Sequence, residues 1–544
     1  MKAVKRTGQV RIDFSRLAGP AISHDRIALF NSGLVTASTY RRDREFFRRT
    51  RPEHLRIDLG WGAEWMPWTR EIVTLEDGEP RYDFAETDEI ASILNDHGVR
   101  PYWSYCYVPK ALRAPDSDWR TLAEEDGPWV DMVTAYAAGA AERGVRIGYH
   151  EIYNEPDLRD ERRGDPVFFA GDLDDYLELY RRTSKALRAA MPHALIGGPA
   201  LASVHKNAEW LRPFIDMVVA EDLPLDFLSF HHYGTFGLGS VLDTVLGVLG
   251  DYPQLDQVEL HMNEYNSFTI DYPRGGLQDG FLLAGAFAED AKRLLETRRL
   301  TRTSWAQFLD SGNDNYSGMI DIDGHAKPLF HAYEFFQHMP ADSCTAEVDA
   351  PDGIGVLASR SDGYGAALVW NRSSREVELD VTAVGGAEPS AIRMIDSTRD
   401  GSAATGWDGS PFILERGAVA CIEYGHRTAV LASRRLVERV RYDYADRTPD
   451  AWTDVDEIDA TVRFGSGAAT SDLRVGIDLR NESVPTDLSA IARRVTFADG
   501  SAAPGSITVD AEPRGDHTTL WFQLRGAAPD TFGWAKPSSE GVAQ

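Results

Sequence analysis

The chain has 544 residues, with 57 basic and 85 acidic side chains, a net charge of −28, and 43% hydrophobic and 10% aromatic residues. That length corresponds to about two to four domains, and the composition is that of a globular protein. So acidic a balance excludes nucleic acid as a default partner, and no apolar run approaches the ~20 residues that span a bilayer, so no membrane partner is expected.

The opening segment, MKAVKRTGQVRIDFS, is basic but has no apolar core followed by small residues, so it does not read as a secretion signal. Cys106, Cys344 and Cys421 are too scattered for a disulfide framework and form no C-x-x-C pair. The expectation is a cytoplasmic protein.

From residue 26 to 338, apolar β-like runs alternate with amphipathic segments. Strands are predicted near Ile27–Phe30, His54–Leu59, Val99–Tyr105, Arg146–Tyr153, Ala194–Gly198, Phe227–His231, Val258–Met262 and Thr303–Leu309. Helices are predicted over Thr87–His97 and Trp129–Arg143, each followed by a glycine stop, and over Leu173–Met191, which ends at Pro192. Another covers Leu277–Arg299, where Leu282, Leu283, Phe287, Leu294 and Leu295 recur at helical spacing. Eight such units predict an α/β fold, a (β/α)8 TIM barrel over 22–338. A doubly wound sheet is the runner-up, but no G-x-G-x-x-G follows the first strand.

After Pro340 the pattern changes to short alternating runs, Gly355–Ser359, Ala366–Trp370, Glu376–Val381 and Ala418–Tyr424, separated by Asp-Gly turns. These predict a C-terminal all-β region, a β-sandwich formed by 339–425 together with 1–21. The segment Gln9–Phe14 would donate a strand to it. Residues 426–544 continue in β style, either as an extension of the sandwich or as a separate β module. That tail reads equally as a carbohydrate-binding module or an oligomerisation surface, so a homo-oligomer stays open.

In a TIM barrel the reacting groups sit at the C-terminal ends of the strands. The fourth strand runs into Asn154-Glu155-Pro156 and the seventh into Asn263-Glu264-Tyr265-Asn266-Ser267. These strands lie nearly opposite each other, so Glu155 and Glu264 can face one cavity. Two carboxyl groups flanking a cavity suit glycosidic cleavage, one giving a proton to the leaving oxygen and the other attacking the anomeric carbon. Either glutamate alone would read as a solvated charge. No H-E-x-x-H stands on a helix, and neither a metal nor any other cofactor is expected.

The Asn-Glu-Pro motif after one strand and Glu264-Tyr-Asn-Ser after a later one resemble the acid/base and nucleophile motifs of clan A glycoside hydrolases. More narrowly, with His54-Leu55-Arg56, Tyr82-Asp83-Phe84, Phe227–Tyr233 and Gly318–Asp321 in the same order, the chain resembles glycoside hydrolase family 39, the β-xylosidase and α-L-iduronidase family. The resemblance covers residues 1–425. It implies that Glu155 is the general acid/base and Glu264 the nucleophile. Asn154 would bind the sugar 2-OH, and Arg56 would lie under the nucleophile. His231 would touch the sugar, Tyr233 would stand beside the nucleophile, and Trp305 would be a stacking platform. Trp103, from the aromatic run Tyr102–Tyr107, is counted with the substrate-binding residues.

Bland readings stand beside these. Arg56 could be a structural ion pair, Trp305 could be packing, and one of His231 and His232 must face away because strand residues alternate. Trp61, Trp65, Met66, Pro67 and Trp68 form either a sugar-stacking wall or an apolar plug. Three positions depart from the family pattern. Asp58 replaces an expected histidine and joins the substrate-binding set, Asn263 replaces a threonine, and the segment after Trp305 lacks paired acids. The resulting expectation is a retaining glycoside hydrolase with an oligosaccharide or glycoside substrate, exo-acting on a β-xyloside or related pentoside. The alternatives are a clan relative acting on an arabinose-containing or other glycan, exo or endo, and an inactive sugar-binding barrel.

Overall fold

A computed structural model describes residues 6–425, apart from 33–34, 51, 65, 67–69, 123–126, 161, 206–207, 235–236, 268–279 and 311–317. Beyond 425 it describes only the backbones of short strands between 440 and 537. Trp65, Pro67 and Trp68 therefore lie outside the described residues.

The first strand is β1 (Arg6–Leu17), followed by β2 (Ile27–Asn31), α1 (Ala37–Thr50) and β3 (His54–Asp58). A hairpin, β4 (Val73–Glu76) and β5 (Glu79–Tyr82), precedes α2 (Ala85–Asp96) and β6 (Arg100–Tyr105). Then come α3 (Gly127–Gly139), β7 (Tyr149–Ile152), α4 (Leu173–Ala190), β8 (Ile196–Leu201), α5 (Ala208–Ala220) and β9 (Phe227–Tyr233). The barrel finishes with α6 (Leu238–Leu249), β10 (Glu259–Asn266), α7 (Leu282–Glu296), β11 (Arg302–Ala306) and α8 (Pro328–Gln337).

Strands β2, β3, β6, β7, β8, β9, β10 and β11 close in that order into a barrel, the TIM barrel that the eight alternating units predict. Local chemistry agrees with the helix ends. Gly98 and Gly144 take positive φ values of 72° and 80° just beyond α2 and α3, where a side chain would be strained. At the start of α4, Asp172 and Asp175 form a reciprocal capping box.

The pairing register fixes which side chains enter the barrel. Arg56 pairs with Tyr102 and with Phe30, Tyr102 with Tyr149, and Ser104 with Glu151. Residues in register share a face, so these point inward and their neighbours point at the helices. In β10 the register slips between Met262 and Glu264 against β9. This bulge lets two successive residues, Asn263 and Glu264, both reach the interior.

The remaining strands of the first 425 residues are β12 (Asp342–Asp349), β13 (Ile354–Ser361), β14 (Tyr364–Asn371), β15 (Val377–Val384), β16 (Pro389–Ile395), β17 (Thr405–Gly406), β18 (Phe412–Leu414) and β19 (Val419–Gly425). With β1 they form a nine-stranded sheet in the order β17-β16-β19-β14-β13-β12-β1-β15-β18. The N-terminal strand thus lies antiparallel to β12 and parallel to β15, burying Val10, Ile12 and Phe14. Helix α7 lies between barrel and sheet: its Phe287 meets Trp305 of β11, and its Gly285 abuts the Gly417 carbonyl before β19.

The chain clusters into two compact units, one holding the barrel and the nine-stranded sheet and the other chiefly Tyr424–Gln544. The second unit contains a four-stranded antiparallel sheet that includes Leu473–Arg480, Ile507–Arg514 and His517–Leu524. Among the described residues, no helix is long and apolar enough to cross a membrane.

Candidate active site

Arg56 organises the mouth of the barrel. Fully buried on β3, its guanidinium donates from Nε to Glu151 Oε2 at 2.7 Å, from Nη1 to Glu264 Oε1 at 2.8 Å and from Nη2 to Asn154 Oδ1 at 2.8 Å. Asp58 Oδ1 stands 3.1 Å from Nη1, and the Phe30 ring lies 4.8 Å from the guanidinium carbon. One cation thus serves three carboxylates, and burial at this density is tolerable only because each partner is hydrogen-bonded or paired.

Glu264 is held by a second donor, the Tyr233 hydroxyl, 2.6 Å from Oε2. Glu155, at a positive φ of 42°, points its Oε1 at His231 Nδ1, 2.7 Å away. His231 Nδ1 is also 3.5 Å from Glu264 Oε1, so the imidazole sits between the two glutamates. One oxygen of each carboxyl group and one ring nitrogen lie within 4.8 Å of one another. Asn154 Nδ2 donates to the Tyr107 hydroxyl at 3.2 Å, so Arg56 and Tyr107 together fix its amide.

The environment separates these groups electrically. Burial pushes the Glu155 carboxyl up to about 8, helped by the neighbouring Asp157 charge and opposed by Arg56. Burial also raises Glu264, to about 7, against the pull of His231 and Arg56. Asp58 rises to about 7 for the same first reason, opposed by Arg56. His231 is lowered to about 4 by burial, so its ring is neutral near pH 7. Glu155, His231 and Glu264 could in geometric terms hold a metal ion, as could the exposed group Asp321, Asp323 and His325. In the first group the ligand atoms already satisfy one another, Arg56 and Tyr233.

Asn154, Glu155, Arg56, His231, Tyr233, Glu264 and Asp58 are brought together here. Two expected sugar contacts are not among them. Trp103 pairs with Ile57 and His150, faces the helices, and donates its indole N–H to the Tyr136 hydroxyl of α3 at 3.0 Å. Trp305 pairs with Leu29, one position off the inward Phe30, and packs edge-on against Phe287 at 5.3 Å and Tyr265 at 5.7 Å. Both are corrected to packing residues, because the side-chain parity of their strands is set by Arg56 and Phe30. His232 likewise faces out and stacks on Tyr265. Of the tryptophan cluster, Trp61 is buried against Phe84, Tyr105 and Tyr136.

Sequence reasoning missed Glu151 and Tyr107 as members of the site. Glu151 lies buried in the barrel interior, where it shares Arg56 with Glu264. The available signal was the count of charges: a buried arginine facing Glu264 and an aspartate two residues along needs further anchoring.

Two carboxyl groups this close, at the C-terminal mouth of a (β/α)8 barrel, define the class of retaining glycoside hydrolases. The family description "Glycosyl hydrolases family 39" matches residues 39–264, a span that holds Arg56, Asn154, Glu155, His231, Tyr233 and Glu264. Over that span the chain is similar to glycoside hydrolase family 39. A β-xylosidase of Geobacillus stearothermophilus is 26% identical to it over 414 residues, 67% of this chain and 78% of that protein. A β-xylosidase of Caldicellulosiruptor saccharolyticus is 27% identical over 176 residues, 29% of this chain and 33% of that protein. The solved structure of a GH39 β-xylosidase from Caulobacter crescentus shares the fold, with a TM-score of 0.61 and 18% identity, covering 77% of this chain and 100% of that one.

Proposed function

We propose that this hydrolase is an exo-acting β-xylosidase, or a glycosidase of a closely related pentoside, working by double displacement with Glu264 as nucleophile and Glu155 as acid/base. The observation that carries it is the Glu155–His231–Glu264 cluster within 4.8 Å. That closeness fits the roughly 5–5.5 Å separation of a retaining pair and leaves no room for the water that an inverting enzyme seats between its carboxyls.

Each residue then has a task. Glu155, pushed up to about 8, keeps its proton near neutral pH and gives it to the leaving oxygen. His231 can donate from Nδ1 to Oε1, which leaves Oε2 to carry that proton. Glu264 attacks the anomeric carbon, its ionised form addressed by Arg56 and Tyr233. Once it is esterified, its charge no longer faces Glu155, whose proton affinity falls, and Glu155 deprotonates the incoming water. Asn154, its amide fixed by Arg56 and Tyr107, is positioned to hold the 2-OH. The pentose reading is supported by the β-xylosidase relative from Geobacillus stearothermophilus. A cytoplasmic location goes with it, since all three cysteines are buried free thiols.

The test is hydrolysis of aryl glycosides (β-xyloside, α-L-arabinosides, β-glucoside, β-galactoside, glucuronide and iduronide) by wild type, Glu264→Ala and Glu155→Ala. Release of the β-xyloside by wild type, with Glu264→Ala reduced at least 10⁴-fold, is expected. Glu155→Ala should lose far more on poor leaving groups than on activated ones, because only the former need its proton. Near-normal turnover by Glu264→Ala would overturn the nucleophile, and preference for another glycone would replace the substrate.

A further inference from the structure

Beneath Glu264 a hydrogen-bonded chain runs down the barrel axis. Glu259 Oε2 meets His261 Nε2 at 2.8 Å, and His261 Nδ1 meets the Tyr102 hydroxyl at 3.2 Å. Asn263 Nδ2 reaches both the Tyr102 hydroxyl, at 2.9 Å, and Glu151 Oε1, at 2.6 Å. Glu151 Oε2 takes the Nε–H of Arg56, whose Nη1 goes on to Glu264. All of these side chains except Glu259 are buried.

The direction of the bonds follows from the ends. Glu259 is held down to about 2 by the His261 and Tyr149 hydrogen bonds, which outweigh its burial, so it is an acceptor and takes the Nε2–H. His261 Nδ1 is then an acceptor and draws the Tyr102 hydroxyl proton. That hydroxyl lies 3.4 Å from Glu151, leaving Asn263 as the close donor to Oε1. Two donors therefore satisfy Glu151, one on each oxygen, and only one of them comes from Arg56. The other guanidinium nitrogens, Nη1 and Nη2, serve Glu264 and Asn154.

We propose that Glu151 and Glu264 compete for Arg56, and that Asn263 is a positioning residue that settles the competition in favour of Glu264. The inference rests on Glu264 being the nucleophile. Without the amide donor, Glu151 Oε1 would be left with only the long 3.4 Å approach of the Tyr102 hydroxyl in a dry interior, where a poorly met hydrogen bond is expensive. With the Tyr102 hydroxyl proton drawn to His261 Nδ1, the replacement is the Arg56 fork, turned into bidentate pairing with Glu151 and away from Glu264. The bulge in β10 makes this arrangement available, because it turns Asn263 and Glu264 inward side by side.

The groups that face Glu264 are Arg56 and Asp58 from β3, Glu155 after β7, and His231 and Tyr233 from β9. Those that face Glu151 are Arg56 and Asp58 from β3, Tyr102 from β6, His231 from β9, His261 and Asn263 from β10, and Tyr176 from α4. Arg56 is the cation common to both sets.

The test titrates Glu264 directly, by carboxyl carbon-13 NMR of the full chain labelled at glutamate, with its signal assigned by loss in Glu264→Gln. Asn263→Val, which removes the donor, should raise the Glu264 midpoint by about one pH unit, a tenfold gain in proton affinity. Its isostere Asn263→Thr keeps a hydroxyl donor and should restore the wild-type midpoint. Glu151→Gln removes the competitor and should lower it. The same order should appear in the acid limb of kcat/KM for an aryl β-xyloside, with Asn263→Val losing kcat at least tenfold and KM staying within threefold. An unchanged or lowered midpoint in Asn263→Val overturns the proposal, as does a raised one in Glu151→Gln. A wild type that leaves aryl β-xyloside intact defeats the substrate reading alone, and the NMR order still decides this one.

Discussion

At the scale of single residues, Arg56 and the groups around it form the proposed site and carry a cost in stability. Replacing Arg56 by methionine should leave Glu151, Asp58 and Glu264 without their shared cation and destabilise the protein by about 3–5 kcal/mol, measured by urea unfolding. Glu155 gives a prediction with a definite sign. Its carboxyl rises from 4.5 to about 8 on folding, so over that window the native state holds more protons than the unfolded state. Its contribution to stability is complete below the unfolded value and lost as pH rises through the folded one. Glu155→Gln, which cannot ionise, should therefore match wild type near pH 4 and gain on it in thermal stability up to about pH 8, by a few kcal/mol at most. A constant difference between the two across that range would contradict the environment assigned to Glu155.

At the scale of elements, strand parity and one bulge decide what the site contains. The alternation along β9 separates His231 and Tyr233 from His232, and this much follows from sequence order once the strand is recognised. Parity along β6 and β11 put Trp103 and Trp305 among the helices, which no local pattern announces, since either face of a buried strand accepts an aromatic. Helix α7 shows how tightly the layers close. A methyl group at Gly285 would run into the carbonyl oxygen of Gly417, with backbone on both sides and no flexible side chain to yield. Gly285→Ala should destabilise by about 1–3 kcal/mol in thermal unfolding although alanine is the better helix former. Turnover should stay near normal, because α7 contributes no group to the cluster around Arg56.

At the scale of the whole molecule, the nine-stranded sheet depends on the chain's first strand. β1 joins β12 on one side to β15 on the other, so without it the sheet divides into two pieces with open edges. Its inward Val10, Ile12 and Phe14 are each buried to within 1%, burial worth about 1.5–3 kcal/mol apiece. Deleting residues 1–17 should therefore give aggregated protein or a loss of soluble yield, whereas Val10→Ala alone should lower the midpoint of unfolding and leave turnover intact. A soluble, active truncated chain would show that the sheet tolerates the break.

The order of the eight strands, the all-β character of the region after Pro340, and the Asn-Glu-Pro and Glu-Tyr-Asn-Ser segments were legible because each is a local pattern: periodicity of 3.6 or 2, a glycine stop, a carboxylate at a strand end. Glu155 and Glu264 could be paired across 109 positions because an eight-fold barrel brings its fourth and seventh strands to one mouth. Tertiary structure alone decided that one arginine serves Glu151, Glu264 and Asn154 together, that Asn263 reaches the interior beside Glu264, and that two tryptophans turn away from it. These depend on strand register and a single inserted residue, and a shift of one position exchanges the faces of every side chain beyond it. Hydrophobic periodicity constrains register weakly in a barrel whose strands are apolar on both faces, and the polar groups of the site sit where that constraint is weakest.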